Sequence, residues 1–409
     1  MRYMAKTHEK YHTGHTEIMA LAILLIGEIC FYKADSIRIY FLCTAVCVFA
    51  GMYKFIKRIL TGRVHLNVFP VWAILVYSMY LINGILRLQR GEFSSGTILY
   101  RMLESISIYF VIRDIFKTDK KKIVLPFIIA GLFSLGFLIF TEGTALQSAY
   151  IRIGNTMSGN VNTVGYNFGI ISMFVTWWYC NEKKWYKIVL FVLFAIAMLL
   201  TGSKKVIIIL LLDALLLFFF DRNHAGRWLK LTIGIILAAY LIFNVPALYR
   251  IMGVRIESMF DTLLYGRSTN VYSYSTDIRD RMIQEGFQLF LQKPLFGGGW
   301  NNFYAHTTTG FDYSHNNYIE LLCSFGLAGT AIYYSKHLSN ISFILKKVLR
   351  KNVGGKDYLF ALVLLTGTVL MDWAAISFSS MCVWYLPLIV SSVIVEDMKF
   401  GFAKISRNK

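Results

Sequence analysis

Two sets of residues in this sequence are placed to do chemistry. His315 stands in the run Ser314-His315-Asn316-Asn317-Tyr318-Ile319-Glu320. Tyr318 and Glu320 fall within about a turn of it, and an imidazole whose tautomer and pKa are set by such neighbours suits a general base. The second set is basic: Arg152, Lys204, Lys205, Arg250, Arg255, Arg267, Arg279 and Arg281. A guanidinium is a planar fork that grips two phosphate oxygens at once, so a pyrophosphate is a natural ligand for such a set. Plainer roles stand beside these. His315 is equally readable as a histidine satisfied at an interface, and the basic residues as partners of Glu257, Asp277, Asp280 and Glu285.

The elements that hold these residues belong in lipid. Hydrophobic residues make up 56% of the 409, only 16% are charged, and the mean hydropathy is +0.54. Runs such as 188–200, 206–220 and 231–243 are apolar on every helical face, which neither a half-buried strand nor a surface helix requires. A bilayer needs roughly 20 mostly apolar residues per helix. That rule predicts an all-α, polytopic bundle of about 12 transmembrane helices over 17–34, 37–55, 68–86, 97–114, 122–141, 163–180, 186–201, 204–220, 228–245, 316–335, 357–376 and 380–396. The first has no small-residue cleavage site after it and reads as a retained helix. The whole of 1–409 forms one membrane domain, with no separate soluble unit.

Lys and Arg are retained in short cytoplasmic loops. Their alternation along the chain predicts that both termini are cytoplasmic and that the segments 142–162 and 246–315 face outward. The longer of these, between the ninth and tenth spans, exceeds ordinary connections. Within it, 277–292 reads as an amphipathic helix lying on the outer membrane surface or over the bundle, with Ile278, Met282, Phe287, Leu289 and Phe290 on its apolar side. Pro294 then ends the helix, and Gly297-Gly298-Gly299 makes a tight, flexible turn, a candidate hinge for a closing loop. Of the eight histidines, only His306 and His315 fall outside the cell on this topology.

Composition also excludes. The net charge of +19 is accounted for by cytoplasmic loops against anionic lipid, with no nucleic acid as partner. Six cysteines with no CxxC pair indicate neither a disulfide framework nor a zinc site, and His8, His12 and His15 read as a solvated tail, so no metal is expected.

The run Pro294-Leu295-Phe296-Gly297-Gly298-Gly299, then His315-Asn316-Asn317-Tyr318, Glu320 and Phe325-Gly326-Leu327-Ala328-Gly329, resembles the signature of the O-antigen ligase and polymerase family. Arg279, fifteen residues before Pro294, takes the place of the family's arginine. Arg152-Ile153-Gly154 with Asn160-Val161-Asn162, and Thr201-Gly202-Ser203-Lys204, match further upstream, although Lys204 stands where the family shows Arg and Lys205 beside it can share the task. The resemblance implies a GT-C-like glycosyltransferase of the cytoplasmic membrane with its active site on the outer face. It implies a glycan on a polyprenyl pyrophosphate as donor, inversion at the anomeric carbon, and neither cofactor nor metal. His315 and Arg279 would be catalytic. Arg152, Lys204, Lys205 and Arg281 would bind pyrophosphate, while Asn316, Tyr318, Asn301, Asn302 and Glu320 are candidates for sugar contacts, with helix capping as the alternative for the asparagines. The bilayer, the lipid-linked oligosaccharide and other polysaccharide assembly proteins are the partners implied.

A polymerase of lipid-linked repeat units, for a capsule, exopolysaccharide or O-antigen, is the favoured member of that family, with a ligase as the alternative. A flippase or other carrier is the more distant reading. Carriers place ionisable groups in mid-membrane, and Glu28, Glu104, Asp213 and Asp372 are the scattered candidates for that.

Overall fold

The computed structural model describes residues 14–61, 68–86, 95–144, 153–158, 160–203, 205–220, 224–265, 271–349, 355–378 and 382–400. Among these residues the regular structure is helical and no strand occurs. In chain order the helices are α1 (His15–Cys30), α2 (Ile37–Leu60), α3 (Val68–Leu86), α4 (Ser95–Thr118), α5 (Val124–Glu142), the single turn α6 (Asn155–Ser158), α7 (Val161–Asn181), α8 (Trp185–Leu200), α9 (Lys205–Phe220) and α10 (His224–Asn244). A turn α11 (Pro246–Leu248) and a π-helical turn over Tyr249–Gly253 lead into α12 (Val254–Tyr265). The chain continues with α13 (Val271–Gln292), the short α14 (Asn302–His306), α15 (Asn317–Leu349), α16 (Lys356–Asp372) and α17 (Cys382–Phe400).

Each of the twelve stretches expected to span the membrane falls largely on one of these helices. By length and composition, three segments are long and apolar enough to cross a bilayer: Ile37–Leu60, Val68–Ile85 and Lys120–Glu142. The sharply bent pair Thr232–Asn244 and Tyr249–Ser258 adds a fourth if it is one span. Other helices are short, such as α8 and α9 at 16 residues each, or carry charge, as α4 does with Arg101, Glu104, Arg113 and Asp114. The surface supports the same environment. Leu42, Phe49, Leu60, Phe140 and Trp185 are each more than two-thirds exposed, and apolar surface on that scale marks contact with something other than water. The chain is an integral membrane protein.

Stacked rings and small contacts hold the helices together. Phe127 of α5 lies face to face with Phe174 of α7 at 3.7 Å, and Phe360 of α16 completes the group by stacking on Trp177 at 5.0 Å. Gly51 lets α2 approach the backbone of α4 at Ser107. The four carboxylates singled out in mid-membrane all have partners across helices. Arg101 reaches Glu104 at 2.9 Å and Glu28 at 3.7 Å, and the Tyr40 hydroxyl lies 3.3 Å from both. Ser172 donates to Asp213 at 2.5 Å, and Tyr334 donates to Asp372 at 2.7 Å.

The helix expected over 316–335 is present but contains a break. α15 is interrupted at Gly326, whose φ of 65° and ψ of −167° lie outside helical space. In a straight helix the N–H groups of Leu327 and Ala328 would donate to the carbonyls of Cys323 and Ser324. Here they donate instead to Pro294 at 2.9 Å and Leu295 at 3.1 Å. The freed carbonyls accept from Gly298 at 2.7 Å and Gly299 at 2.9 Å. Two bonds within a helix are thus exchanged for four bonds to the glycine turn, and these four groups of α15 keep their partners. The turn expected to be a flexible hinge is buried and pinned at this point.

Two glycines permit the exchange. A Cβ on Gly326 would overlap the Leu295 carbonyl at 2.5 Å and the Gly297 nitrogen at 2.6 Å, and one on Gly297 would overlap the backbone of Ser324 and Phe325. Both have left-handed φ, 65° and 69°. Gly326→Ala is expected to cost roughly 1–3 kcal/mol from the forced backbone alone, and more from the overlap. It should lower the thermal unfolding midpoint in detergent, while Gly234→Ala, inside α10 with open space around it, should keep or slightly raise it.

Candidate active site

The locked turn fixes what lies on either side of it. Upstream, α13 packs on the first half of α15 through Met282 and Gly286, where a Cβ would strike the Ile319 side chain, with Phe303 and Cys323 completing a small apolar cluster. Ile278, Leu289 and Phe290 pack against that cluster as the sequence periodicity predicts, and α13 lies over the bundle. Phe287 does not join them. It is 43% exposed, because the contacting stripe runs Met282, Gly286, Leu289 and Phe290 and the ring sits well around the helix from it. Arg279 lies in line with Gly286, two turns back along α13. That register places Arg279, which is exposed, beyond the start of α15.

Downstream of the turn, the segment before α15 is tightly specified. Asn316 caps α15, its Oδ1 accepting from the N–H groups of Tyr318 at 3.0 Å and Ile319 at 3.2 Å. Its Nδ2 is buried without a protein partner. Ser314 donates its N–H to Glu320 at 2.8 Å and its hydroxyl to the Asn316 carbonyl at 2.9 Å. Between these two fixed residues His315 adopts φ 56°, a left-handed backbone that only it and Asn301 adopt among the described non-glycine residues. Such strain persists only when the surroundings over-determine it, and it concentrates at functional sites.

The His315 ring stands edge to face against Tyr313, with centroids 4.3 Å apart, and near Phe311 at 6.3 Å. Burial pushes its pKa down to about 4, and the charges of Arg279 and then Lys205 push in the same direction. Both cations are therefore near enough to act on the imidazole, which stays neutral and able to accept a proton at physiological pH. Burial raises the Tyr313 phenol, with Arg279 opposing. Lys205 at the start of α9 and Arg279 on α13 thus both act electrostatically on His315, in the segment before α15.

The other expected residues are distributed as follows. Arg152, Lys204 and Arg267 lie outside the described residues. Ile153, next to the first, donates to the Leu200 carbonyl at 3.3 Å, so the chain there docks on the turn leading to Lys205. Glu142 secures it, accepting from the N–H groups of Gly154 at 2.6 Å and Thr156 at 2.5 Å. Arg281 lies across α13 from Arg279, and its charge acts on Glu285. The Tyr318 hydroxyl donates to the Val369 carbonyl at 2.7 Å and its ring stacks on Tyr334. Glu320 is buried on the Ser314 N–H. Asn302 is buried and donates to the Cys323 carbonyl at 3.1 Å, reinforcing the break in α15. Asn301, half-buried, precedes α14 in its left-handed conformation. Among the described residues no group of three or more His, Cys, Asp or Glu is placed to hold a metal ion.

Sequence reasoning passed over Asn317. Its Oδ1 accepts from the N–H groups of Ser377 at 2.9 Å and Phe378 at 3.0 Å, and its Nδ2 donates to Tyr334 at 3.0 Å and Asp372 at 3.2 Å. One buried amide ties the base of the His315 segment to the link between α16 and α17. Tyr313 was passed over as well, although its position two residues before the histidine is a signal in the sequence itself.

No curated protein matches the chain closely. A family model does match. It covers residues 188–334, which run from α8 through the locked turn and the strained histidine into the second half of α15, and the family is described as O-antigen ligase. Arg279, His315 and the whole Pro294-to-Gly329 signature lie inside that segment, and the similarity to the O-antigen ligase family covers roughly a third of the chain.

Proposed function

We propose that this protein is an inverting glycosyltransferase that polymerises oligosaccharide repeat units carried on a polyprenyl pyrophosphate, working on the outer face of the cytoplasmic membrane. In this reading twelve helices span the bilayer, both termini are cytoplasmic, and 246–315 is the extracytoplasmic loop that meets the substrate. The observation that supports it is the strained backbone of His315 at the start of α15, with the charges of Arg279 and Lys205 acting on its ring.

The chemistry follows from that arrangement. An acceptor hydroxyl attacks the anomeric carbon, the bond from that carbon to the pyrophosphate oxygen breaks, and the oxygen keeps the electron pair. Negative charge builds on the leaving group, where Arg279 and Lys205 stabilise it; Arg152 and Lys204 remain candidates from the sequence for the same task. Preorganised charge of this kind is usually the largest catalytic term. The hydroxyl proton passes to the His315 imidazole. A pyrophosphate leaves without a general acid, so one base suffices.

The same charges tune the base. Burial first, and then the charges of Arg279 and Lys205, disfavour imidazolium and hold the His315 pKa down at about 4. A bound pyrophosphate cancels part of their field, so the pKa rises as substrate arrives and the imidazole becomes a better proton acceptor. In protein carrying 13C-labelled histidine, His315 should titrate near 4 and move upward on adding inorganic pyrophosphate. Lys205→Ala should raise the pKa of the ligand-free protein in the same direction. A resonance titrating at the ordinary histidine value and indifferent to pyrophosphate would contradict this account.

Reconstitution with purified lipid-linked repeat units tests the function itself. A ladder of products identifies a polymerase. Transfer of one block to a different acceptor identifies a ligase, the activity that the matching family's description names. Movement of unmodified substrate across the bilayer identifies a flippase. In an enzyme, His315→Ala should lower turnover by about 10²–10⁴-fold and Arg279→Ala by about 10²–10³-fold. Arg279→Lys should recover only part of that, since an ammonium cannot reproduce the fork. Both alanine variants should accumulate single repeat units in cells.

A further inference from the structure

Between α13 and the segment running from His306 to Thr308 there is a cavity of about 490 Å³, lined by Gln284, Glu285, Gln288, Leu289, His306 and Thr308. From its position and lining we infer that it is a glycan subsite, which holds sugar units of the substrate away from the reacting bond. The inference rests on the glycosyltransferase reading above and deepens it by naming where the uncharged part of the substrate is gripped.

The cavity is a built feature. Glu285 accepts from the Thr307 hydroxyl at 2.8 Å and the Thr308 N–H at 3.1 Å, and from the Thr308 hydroxyl as well. These bonds hold the 307–309 segment against α13 as a rim. On the other wall, Nδ1 of His306 lies 2.9 Å from the Asn302 carbonyl. A carbonyl only accepts, so Nδ1 carries the proton and Nε2 of the neutral ring is left as an acceptor. Asn302 is itself buried in the break of α15, and α14, which carries His306, starts from the left-handed Asn301. The second strained residue therefore positions this wall, as the first positions His315.

The lining chemistry selects the ligand. Two carboxamides, a hydroxyl and an imidazole acceptor offer mixed donors and acceptors, which is what sugar hydroxyls need, since each hydroxyl both gives and takes a proton. Leu289 adds one apolar patch for a sugar's C–H face. No cation lines the cavity and Glu285 is charged, so a phosphate or pyrophosphate is disfavoured here. A peptide partner would require more apolar lining than one leucine. The volume lies within the range of small-molecule sites. Gln288 is nine residues from Arg279 along α13, about 13 Å of helix, and the segment from Thr308 leads directly to His315. A short oligosaccharide spans that distance.

The test uses full-length protein in nanodiscs and, as probe, the uncharged oligosaccharide released from the host's own lipid-linked repeat units. Saturation-transfer NMR and calorimetry should show binding to the wild type. Binding should weaken by tenfold or more in Gln284→Ala/Gln288→Ala and in Gln288→Trp, which fills the cavity without relying on a lost hydrogen bond. Arg279→Ala should bind the uncharged probe as the wild type does. Unchanged thermal midpoints confirm that the variants fold. Wild-type affinity in both groove variants overturns the inference, as does a wild type that binds no probe. Turnover of intact lipid-linked units by the wild type is read separately, so an inactive wild type counts against the proposed function while the binding arm still reads the groove.

Discussion

The site depends on an exchange of hydrogen bonds. In a hydrocarbon environment a helix cannot leave its own ladder open, because each unsatisfied backbone group costs several kcal/mol. α15 breaks at Gly326 only because Pro294, Leu295, Gly298 and Gly299 supply the missing partners. The reverse also holds, since a glycine-rich segment loses much entropy when ordered and needs the helix to hold it. Each segment is the condition for the other. Their union sets the registers that matter: α13 ends just before it, α14 starts just after it, and His315 opens the helix that it interrupts.

The charges near His315 then make sense as a prepared field. Two cations and partial burial disfavour the protonated form of the imidazole. On the proposed reading an anion offsets those charges, so that affinity for a phosphorylated ligand and activation of the base would come from one arrangement. The ring of Tyr313 against the imidazole limits its rotation, leaving the histidine little freedom to escape the field by turning away.

Much of this was legible in the sequence, and the reasons for the remainder are specific. The positions of the hydrophobic helices follow from composition alone, because lipid exposes apolar side chains without regard to periodicity. The packing face of α13 was mostly legible from its spacing, but the placement of Phe287 was not. Sequence hydrophobicity marks a large ring as a core residue, whereas close helix approach is made by Gly286. The capping role of Asn316 is local and could be read from the sequence. Asn317 is invisible there because its partners lie 17, 55, 60 and 61 positions away. The break at Gly326 and the rigidity of the glycine turn were missed for the same reason: a Gly-rich stretch reads as loose until its long-range partners are known.

The four bonds of Asn317 also explain why that position calls for an amide. The oxygen faces two N–H groups, and the nitrogen faces a phenol and the carboxylate of Asp372. An aspartate has the same outline and would still serve the first pair. Toward the second it would offer oxygen to oxygen and set two buried carboxyl groups side by side, one of which would have to stay protonated. Hydrolysis of this single side-chain amide, a common form of chemical ageing in long-lived proteins, would therefore loosen the footing of the histidine while leaving every residue of the reaction centre chemically intact.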